Sequence, residues 1–251
     1  MELSFRNRVV VVTGAAGGFG SAIARTFAAA GAHVVVSDID SAGAEKLAAD
    51  LPSAIAVTTD VTDADAMRSL VETAESAFGG IDVMVNNAGV PHRTAALVDL
   101  DVETVDQQLA VNVRSVFLGC KYAVPALRRR GGGVVVNVAS IAAKRPRPGL
   151  TIYNATKGAV ITLTRGLAAE VGPDVRVNAV NPVISETGFV KSFTGADDLP
   201  DDLRESWVAG IPMARTATAQ DVAHSILYLA SDQAGFLTGV CLDVDGGRSI
   251  Q

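Results

Sequence analysis

The sequence predicts an α/β protein: a doubly wound parallel sheet of about seven strands with helices on both faces, built as one domain over residues 1–251. Three observations predict it. Short β-branched runs alternate along the chain with longer alanine-rich stretches of helical period. Those runs are near-continuous Val, Ile and Ala without a polar alternate face, as in strands covered on both sides. No linker, internal repeat or low-complexity tract divides the chain. Strand and helix alternating through right-handed crossovers leave few other topologies.

The elements follow in order. A strand at Val9–Val12 runs through a glycine turn into a helix at Gly18–Ala30, which Gly31 ends. A strand at His33–Ser37 leads to a helix at Ala42–Leu51, and one at Ala54–Thr58 to a helix at Asp63–Phe78. Thr62 with Asp65 has the spacing of a capping box for that third helix. Asp82–Asn86 is the fourth strand, followed by a long helical pattern over Val102–Arg129. Arg128, Arg129 and Arg130 close that pattern, where cations offset the helix dipole. Strands at Gly133–Ala139, Val175–Asn181 and Val240–Val244 complete the sheet, with helices at Ile152–Val171 and Ala219–Ala230 between them. One long irregular stretch, about 183–213, reads as a lid over a site or as a surface excursion with a short helix.

Composition excludes several classes. With 21 Lys and Arg against 27 Asp and Glu the formal charge is −6, which argues against a sequence-independent grip on phosphate backbones. Hydrophobic residues make up 49% of the chain and charged residues 19%, too apolar for disorder. The positive mean hydropathy, +0.31, raises a membrane reading. No apolar run reaches the roughly 18 residues of a bilayer span: Val134–Ala143 is broken by Asn137 and Ser140, and Ala159–Val171 by Arg165 and Glu170. The N-terminus lacks a signal-like core with a cleavage site. Cys120 and Cys241 have no metal spacing and read as buried thiols of a reducing compartment, so a cytoplasmic setting is expected. His33, His92 and His224 form no metal constellation.

The chemistry-bearing residues begin with Thr13-Gly14-Ala15-Ala16-Gly17-Gly18-Phe19-Gly20, between the first strand and first helix. Glycine permits positive φ and close approach of a ligand, and the helix N-terminus offers N–H groups to an anion such as a pyrophosphate. The second strand ends at Asp38, about 20 residues on, where a carboxylate can accept both hydroxyls of an adenosine ribose. A 2′-phosphate would meet like charge there, and no Arg or Lys between His33 and Asp40 offsets it, so NAD is expected over NADP. Asp60 is a candidate for the adenine amino group or, equally, a helix cap. Asn86-Asn87-Ala88-Gly89 follows the fourth strand at the carboxyl edge, where ligands bind in open α/β sheets.

Tyr153 and Lys157, four apart in a helical stretch, project from one face. A tyrosine of ordinary pKa about 10 is a poor base at neutral pH, but a neighbouring ammonium and a positively charged nicotinamide both favour its phenolate. Ser140, at the end of the fifth strand, is placed to hold the same substrate oxygen, and Asn112 to interrupt its helix and hold a water.

Taken together these motifs resemble the short-chain dehydrogenase/reductase family, in its branch of about 250 residues with a Rossmann fold, over essentially the whole chain. The matching residues are Thr13-Gly14 to Gly20, Asp60-Val61, Asn86–Gly89, Asn112, Ser140, Tyr153 with Lys157, Asn181-Pro182 and Gly239–Gly247. The resemblance implies a tetrad. Tyr153 is the general acid/base, Lys157 lowers its pKa and binds the nicotinamide ribose, Ser140 orients substrate, and Asn112 maintains a proton-relay water. It also implies cofactor contacts from Gly14, Gly18, Phe19, Gly20, Asp38, Asp60, Val61, Asn87, Ala88, Gly89 and Pro182. A homotetramer is implied, with a homodimer as the smaller alternative. The chain departs from the pattern after Pro182: where many members have Gly, Val183-Ile184-Ser185-Glu186-Thr187 follows. Thr187 is then the expected carboxamide contact, with Ser185 competing.

The expected activity is NAD-dependent interconversion of a secondary alcohol and a ketone, with no metal. The alternatives are an NADPH-dependent 3-oxoacyl-type ketoreductase and a catalytically silent dinucleotide sensor. His92 and Arg93, with Lys144-Arg145-Pro146-Arg147-Pro148, lie in segments that approach the substrate pocket in the family. They read as an anion-binding cluster (His92, Arg93, Arg145, Arg147) or as solvated loops. Trp207, Phe189 and Phe193 either cover an apolar substrate or anchor the lid, and His224 lies on a helix surface.

Overall fold

The first strand, β1 (Val9–Thr13), shows how the sheet is built. Val10 and Val12 enter one core layer with Ile23, Phe27, Ile226 and Leu229; Val9 and Val11 enter the opposite layer with Met67, Leu70, Val124 and Leu127. The two-residue period of a strand thus serves two cores at once, which is why no polar face is left to alternate. The computed structural model describes residues 3–185 and 201–250, with backbone alone over 201–204.

After β1 come α1 (Gly18–Ala29), β2 (His33–Asp38), α2 (Ser41–Ala49), β3 (Ala54–Thr58), α3 (Ala64–Phe78) and β4 (Val83–Asn86). Then follow α4 (Val102–Leu109), α5 (Ser115–Arg129), β5 (Gly133–Val138), α6 (Thr151–Val171), β6 (Val175–Pro182), α7 (Asp201–Val208), α8 (Ala219–Ala230) and β7 (Cys241–Val244). The strands form one parallel sheet in the order β3-β2-β1-β4-β5-β6-β7. Residues of α1, α2 and α8 fill one core layer, those of α3, α5 and α6 the other. This is the Rossmann arrangement expected.

Local signals explain the element ends, with one correction. Gly31 takes φ +92° just past α1, the left-handed conformation that ends a helix. The cap of α3 is Asp63, which accepts from the N–H groups of Asp65 and Ala66, and not Thr62. Thr62 instead gives its N–H and hydroxyl to Asp60. A two-way capping box does form on α8, between Thr218 and Asp221. The arginines closing α5 are ion-paired as well as helix-terminal: Arg128 with Asp174 (3.3 Å), Arg129 with Glu75 (2.8 Å) and Arg130 with Asp82 (3.6 Å). No described helix is long and apolar enough to cross a membrane. Cys120 is buried as expected, whereas Cys241 is half-buried, and both are free thiols.

The long pattern over Val102–Arg129 is not one regular helix. It opens into a π-helical turn over Ala110–Arg114 between α4 and α5, centred on the fully buried Asn112. Beyond it, α5 packs so closely on β4 that a Cβ on Gly119 would fall on the Asn86 amide. That amide donates to Asn137 Oδ1 (2.9 Å), and Asn137 in turn donates to Thr164 (3.0 Å), linking β4, β5 and α6 through the core. In Gly119→Ala, about 1 kcal/mol of helix propensity would be gained. Overpacking a buried hydrogen bond costs more, so we expect a net loss of about 1–2 kcal/mol, read as a lower urea midpoint at unchanged slope.

Candidate functional site

Strand order reverses between β1 and β4, the crevice where open α/β sheets bind ligands. A cavity of about 580 Å³ opens there. Gly14, Gly17, Gly18, Phe19, Asp38, Asp60 and Val61 line one end and Ser140, Tyr153 and Lys157 the other. Asn87, Ala88 and Gly89 lie between, with Pro182 to Ser185 closing one side.

The glycine turn is built for close approach. Gly14 has φ +63° and sits so near the backbone of Ala88 that a Cβ would come within 2.9 Å of its Cα. Gly18 has φ +52°. Gly17 caps α1 without a side-chain hydrogen bond, and a Cβ there would meet nothing within 4 Å. Room for an anion thus adjoins the N–H groups of the first helical turn, the requirement for a phosphate. Asp38 accepts from the N–H groups of Ala16 (2.8 Å) and Asp40 (3.0 Å), one on each oxygen, which fixes the carboxylate and leaves further lone pairs for hydroxyls. Asp60 is exposed, and one oxygen is committed to Thr62. These residues fit a dinucleotide.

Thr13 and Asn87 hold the two turns together. Thr13 Oγ1 accepts from the N–H groups of Asn87 (3.1 Å) and Ala88 (3.2 Å), and the Asn87 side chain donates to the carbonyls of Thr13 and Gly14 (both 2.9 Å). Sequence reasoning placed Asn87 only among cofactor contacts, and the motif contained no signal for this bracing role.

Asn112 faces the loop after β4 from the π turn. Its Oδ1 accepts from Val90 N–H (2.8 Å), and its Nδ2 lies within hydrogen-bond distance of Val90 O (2.8 Å), Gln108 Oε1 (3.0 Å) and Thr156 Oγ1 (3.3 Å). It does not itself line the cavity; Gln107 and Val111 from the same stretch do.

Ser140 lies two residues beyond β5 and accepts from Ala142 N–H (3.1 Å), which sets its rotamer toward the cavity. Its hydroxyl is hydrogen-bonded to that of Tyr153. Lys157 donates to Val138 O (3.0 Å), with its ammonium 5.8 Å from the Tyr153 ring centre. Both side chains are buried. Burial pushes the phenol up to about 12, against the opposing pull of Ser140 and the positive charge of Arg147, and it pushes Lys157 down to about 8. Among the protein's own groups burial prevails and favours the neutral phenol; the positive nicotinamide, which the sequence reading counts on together with Lys157 to favour the phenolate, comes only with the cofactor.

Of the four basic candidates for a substrate contact, the fold brings only Arg147 to the cavity. His92 is buried off the cavity, its Nδ1 2.7 Å from Arg93 O, and Arg93 is exposed outside it. Lys144 pairs with Asp243 (2.7 Å), and Arg145 donates to Arg248 O (2.7 Å). Adjacency in sequence was misleading because the segment turns, with the N–H groups of Lys144 and Arg145 both on the Ile141 carbonyl and that of Leu150 on the Arg147 carbonyl, so neighbouring side chains leave in different directions. Trp207 lies under Arg147, its ring centre 5.4 Å from the guanidinium carbon. His224 is on the surface of α8, bonded to Gln220. Thr187, Phe189 and Phe193 fall outside the described residues. Among the described residues no three metal-ligating side chains cluster.

Comparison with known proteins gives the site its relatives. The family described as enoyl-(acyl carrier protein) reductase matches residues 14–249. The chain is 43% identical to 4-formylbenzenesulfonate dehydrogenase of Comamonas testosteroni, over 99% of this chain and 100% of that one. The chain belongs to the short-chain dehydrogenase/reductase family. Another family member, cis-4-hydroxycyclohexanecarboxylate dehydrogenase of Sinomonas cyclohexanicum, is 39% identical over 98% of each chain. Among solved structures, 3-ketoacyl-(acyl-carrier-protein) reductase from Brucella melitensis complexed with NADH superposes with a TM-score of 0.92. It is 41% identical, over 98% of this chain and 100% of that one. A nicotinamide cofactor and oxidoreductase chemistry on CH–OH groups follow from membership.

The buried ammonium gives this short-chain dehydrogenase/reductase a measurable pH signature. Because Lys157 falls from its ordinary 10.5 to about 8 on folding, this residue binds more protons in the unfolded chain between those values, and its contribution to stability rises with pH across that window. Above about pH 9 that rise is opposed by the Cys120 thiol, which burial pushes from 9.0 up to about 12. Lys157→Met is expected to lack the rise and to be more stable at pH 7, by about 2–3 kcal/mol. Chemical unfolding at pH 7, 8, 9 and 10 checks both.

Proposed function

We propose that this chain is an NAD-dependent oxidoreductase that interconverts a secondary alcohol and a ketone on a small polar or anionic molecule. The observation that carries the reading is the Tyr153–Ser140 hydroxyl pair at one end of a cavity whose other end is the Asp38 carboxylate. When bound, the nicotinamide supplies the hydride acceptor or donor and, oxidised, a positive charge beside the phenol. Ser140 holds the substrate oxygen, and Tyr153 takes its proton in oxidation or returns it in reduction. Lys157 keeps a cation one helical turn away, so that the phenolate formed is stabilised. Asn112 ties the π turn to the loop at Val90 and so keeps a water path beside Lys157. Further contacts come from Gly20 in the cofactor turn and from the walls of the cavity.

Asp38 supports NAD: its fixed carboxylate would repel a 2′-phosphate. The named substrates of two relatives, a benzenesulfonate and a cyclohexanecarboxylate, support a small anionic substrate here. The second reading, a 3-oxoacyl ketoreductase, is favoured by the name of the Brucella neighbour. Exposed Val102, Leu109 and Phe117 on α4 and α5 support a homotetramer built through those helices, and two free thiols support a cytoplasmic setting.

Tyr153→Phe is expected to lower turnover by at least about 10³-fold while NADH binding stays within a few-fold, so activity retained in that variant would overturn the proton-transfer role. Asp38→Ala should move the kcat/KM ratio toward NADP by about tenfold or more. An unchanged ratio would count against the ribose assignment.

A further inference from the structure

Among the charged side chains around the cavity, Arg147 stands apart. It lines the cavity with Tyr153, and among the described residues no carboxylate forms an ion pair with it, while Arg248 adds a like charge. Its neighbours are satisfied elsewhere: Lys144 by Asp243, Arg145 by the carbonyl of Arg248, and Arg248 by the carbonyl of Gly210. Arg147 has instead the face of Trp207 beneath its guanidinium, and no acceptor among the described residues takes up the N–H donors along the edge of the fork. A guanidinium drawn out of water without a counter-charge is costly, and proteins retain one where a ligand supplies that charge.

Its backbone is held on several sides. Pro146 and Pro148 flank it, restricting the backbone on both sides. Asn154, the residue after Tyr153, donates to the Arg147 carbonyl (2.9 Å), and Leu150 N–H donates to the same oxygen (3.2 Å). The backbone of Arg147 is thereby tied to the first turn of α6, which carries Tyr153. The same cavity is lined by the apolar side chains of Ile141, Ala142 and Leu150.

We propose that Arg147 is the specificity-determining residue of this enzyme, binding a carboxylate or sulfonate on a compact apolar skeleton whose hydroxyl or carbonyl lies at Tyr153. The assignment rests on the oxidoreductase reading and sharpens it. An anion gripped in the same cavity as the reacting carbon suits a small ring or short chain that carries its own charge. An acyl group on a carrier protein does not meet that condition, because a neutral thioester arm separates its reacting carbon from the nearest phosphate.

The test uses 4-hydroxycyclohexanecarboxylate and its methyl ester, which share one alcohol and differ in charge, with NAD⁺ as acceptor. The expected result for the wild-type enzyme is a kcat/KM for the acid about 10- to 100-fold above that of the ester, collapsing toward unity in Arg147→Met and recovering in part in Arg147→Lys. Trp207 is the chain's one tryptophan, so its fluorescence gives a second readout without turnover. Cyclohexanecarboxylate or benzenesulfonate should change it saturably in the wild type and not in Arg147→Met. An acid-to-ester ratio preserved in Arg147→Met, or an analogue response independent of Arg147, would overturn the proposal. Equal loss on both substrates would also overturn it, assigning Arg147 to the positioning of Tyr153. If neither alcohol turns over while the Arg147-dependent fluorescence response persists, the anion site stands and the alcohol–ketone reading fails.

Discussion

The close contact of two backbone turns, Gly14 against Ala88, is the constraint on which the rest of the site depends. Parallel neighbours β1 and β4 send their crossovers in opposite directions, so the turns after them part and leave a crevice. Left alone, those turns would expose unpaired amides and drift. Thr13 and Asn87 satisfy them with four hydrogen bonds across the gap. The cradle and the floor of the reacting end therefore move as one body. A side chain at position 14 would need both a strained φ and a displaced Ala88, and so would lose cradle and floor together.

The catalytic wall works against stability. Lys157 and Tyr153 are buried in the form least suited to proton abstraction, a depressed ammonium beside a raised phenol. Neither shift helps folding at neutral pH. Both suit a site whose charge balance is completed only when a cationic ring and an alcohol enter, which is where electrostatic preorganisation acts. The π turn has the same logic: regular α-helix through Asn112 would keep its backbone bonds, whereas the bulge turns a buried amide toward Val90.

Much of this was legible in the sequence because it has a period or a fixed chemical signature. Uninterrupted valine runs marked strands covered on both faces, and Gly31 marked a helix end by its need for positive φ. Less was legible where the outcome depended on which neighbour won a hydrogen bond. Thr62 has the spacing of a cap, but Asp60 captured it and Asp63 caps α3 instead. The interruption near Asn112 was readable, but not the four-way bonding that makes it a brace. Nor could spacing tell which arginine faces inward.

That last point also bears on how charge describes this protein. A net charge of −6 suggests a surface indifferent to anions, and the run from Lys144 to Arg147 suggests a basic patch. Neither describes the site. Asp243 and two carbonyls take up Lys144, Arg145 and Arg248, so their charges do work between β7, the C-terminal turn and the segment before α6. That work holds Arg147 in place from behind, while the prolines and Asn154 hold it from either side. Three basic groups spent on structure thus leave one, desolvated beside the phenol, to be answered by whatever enters.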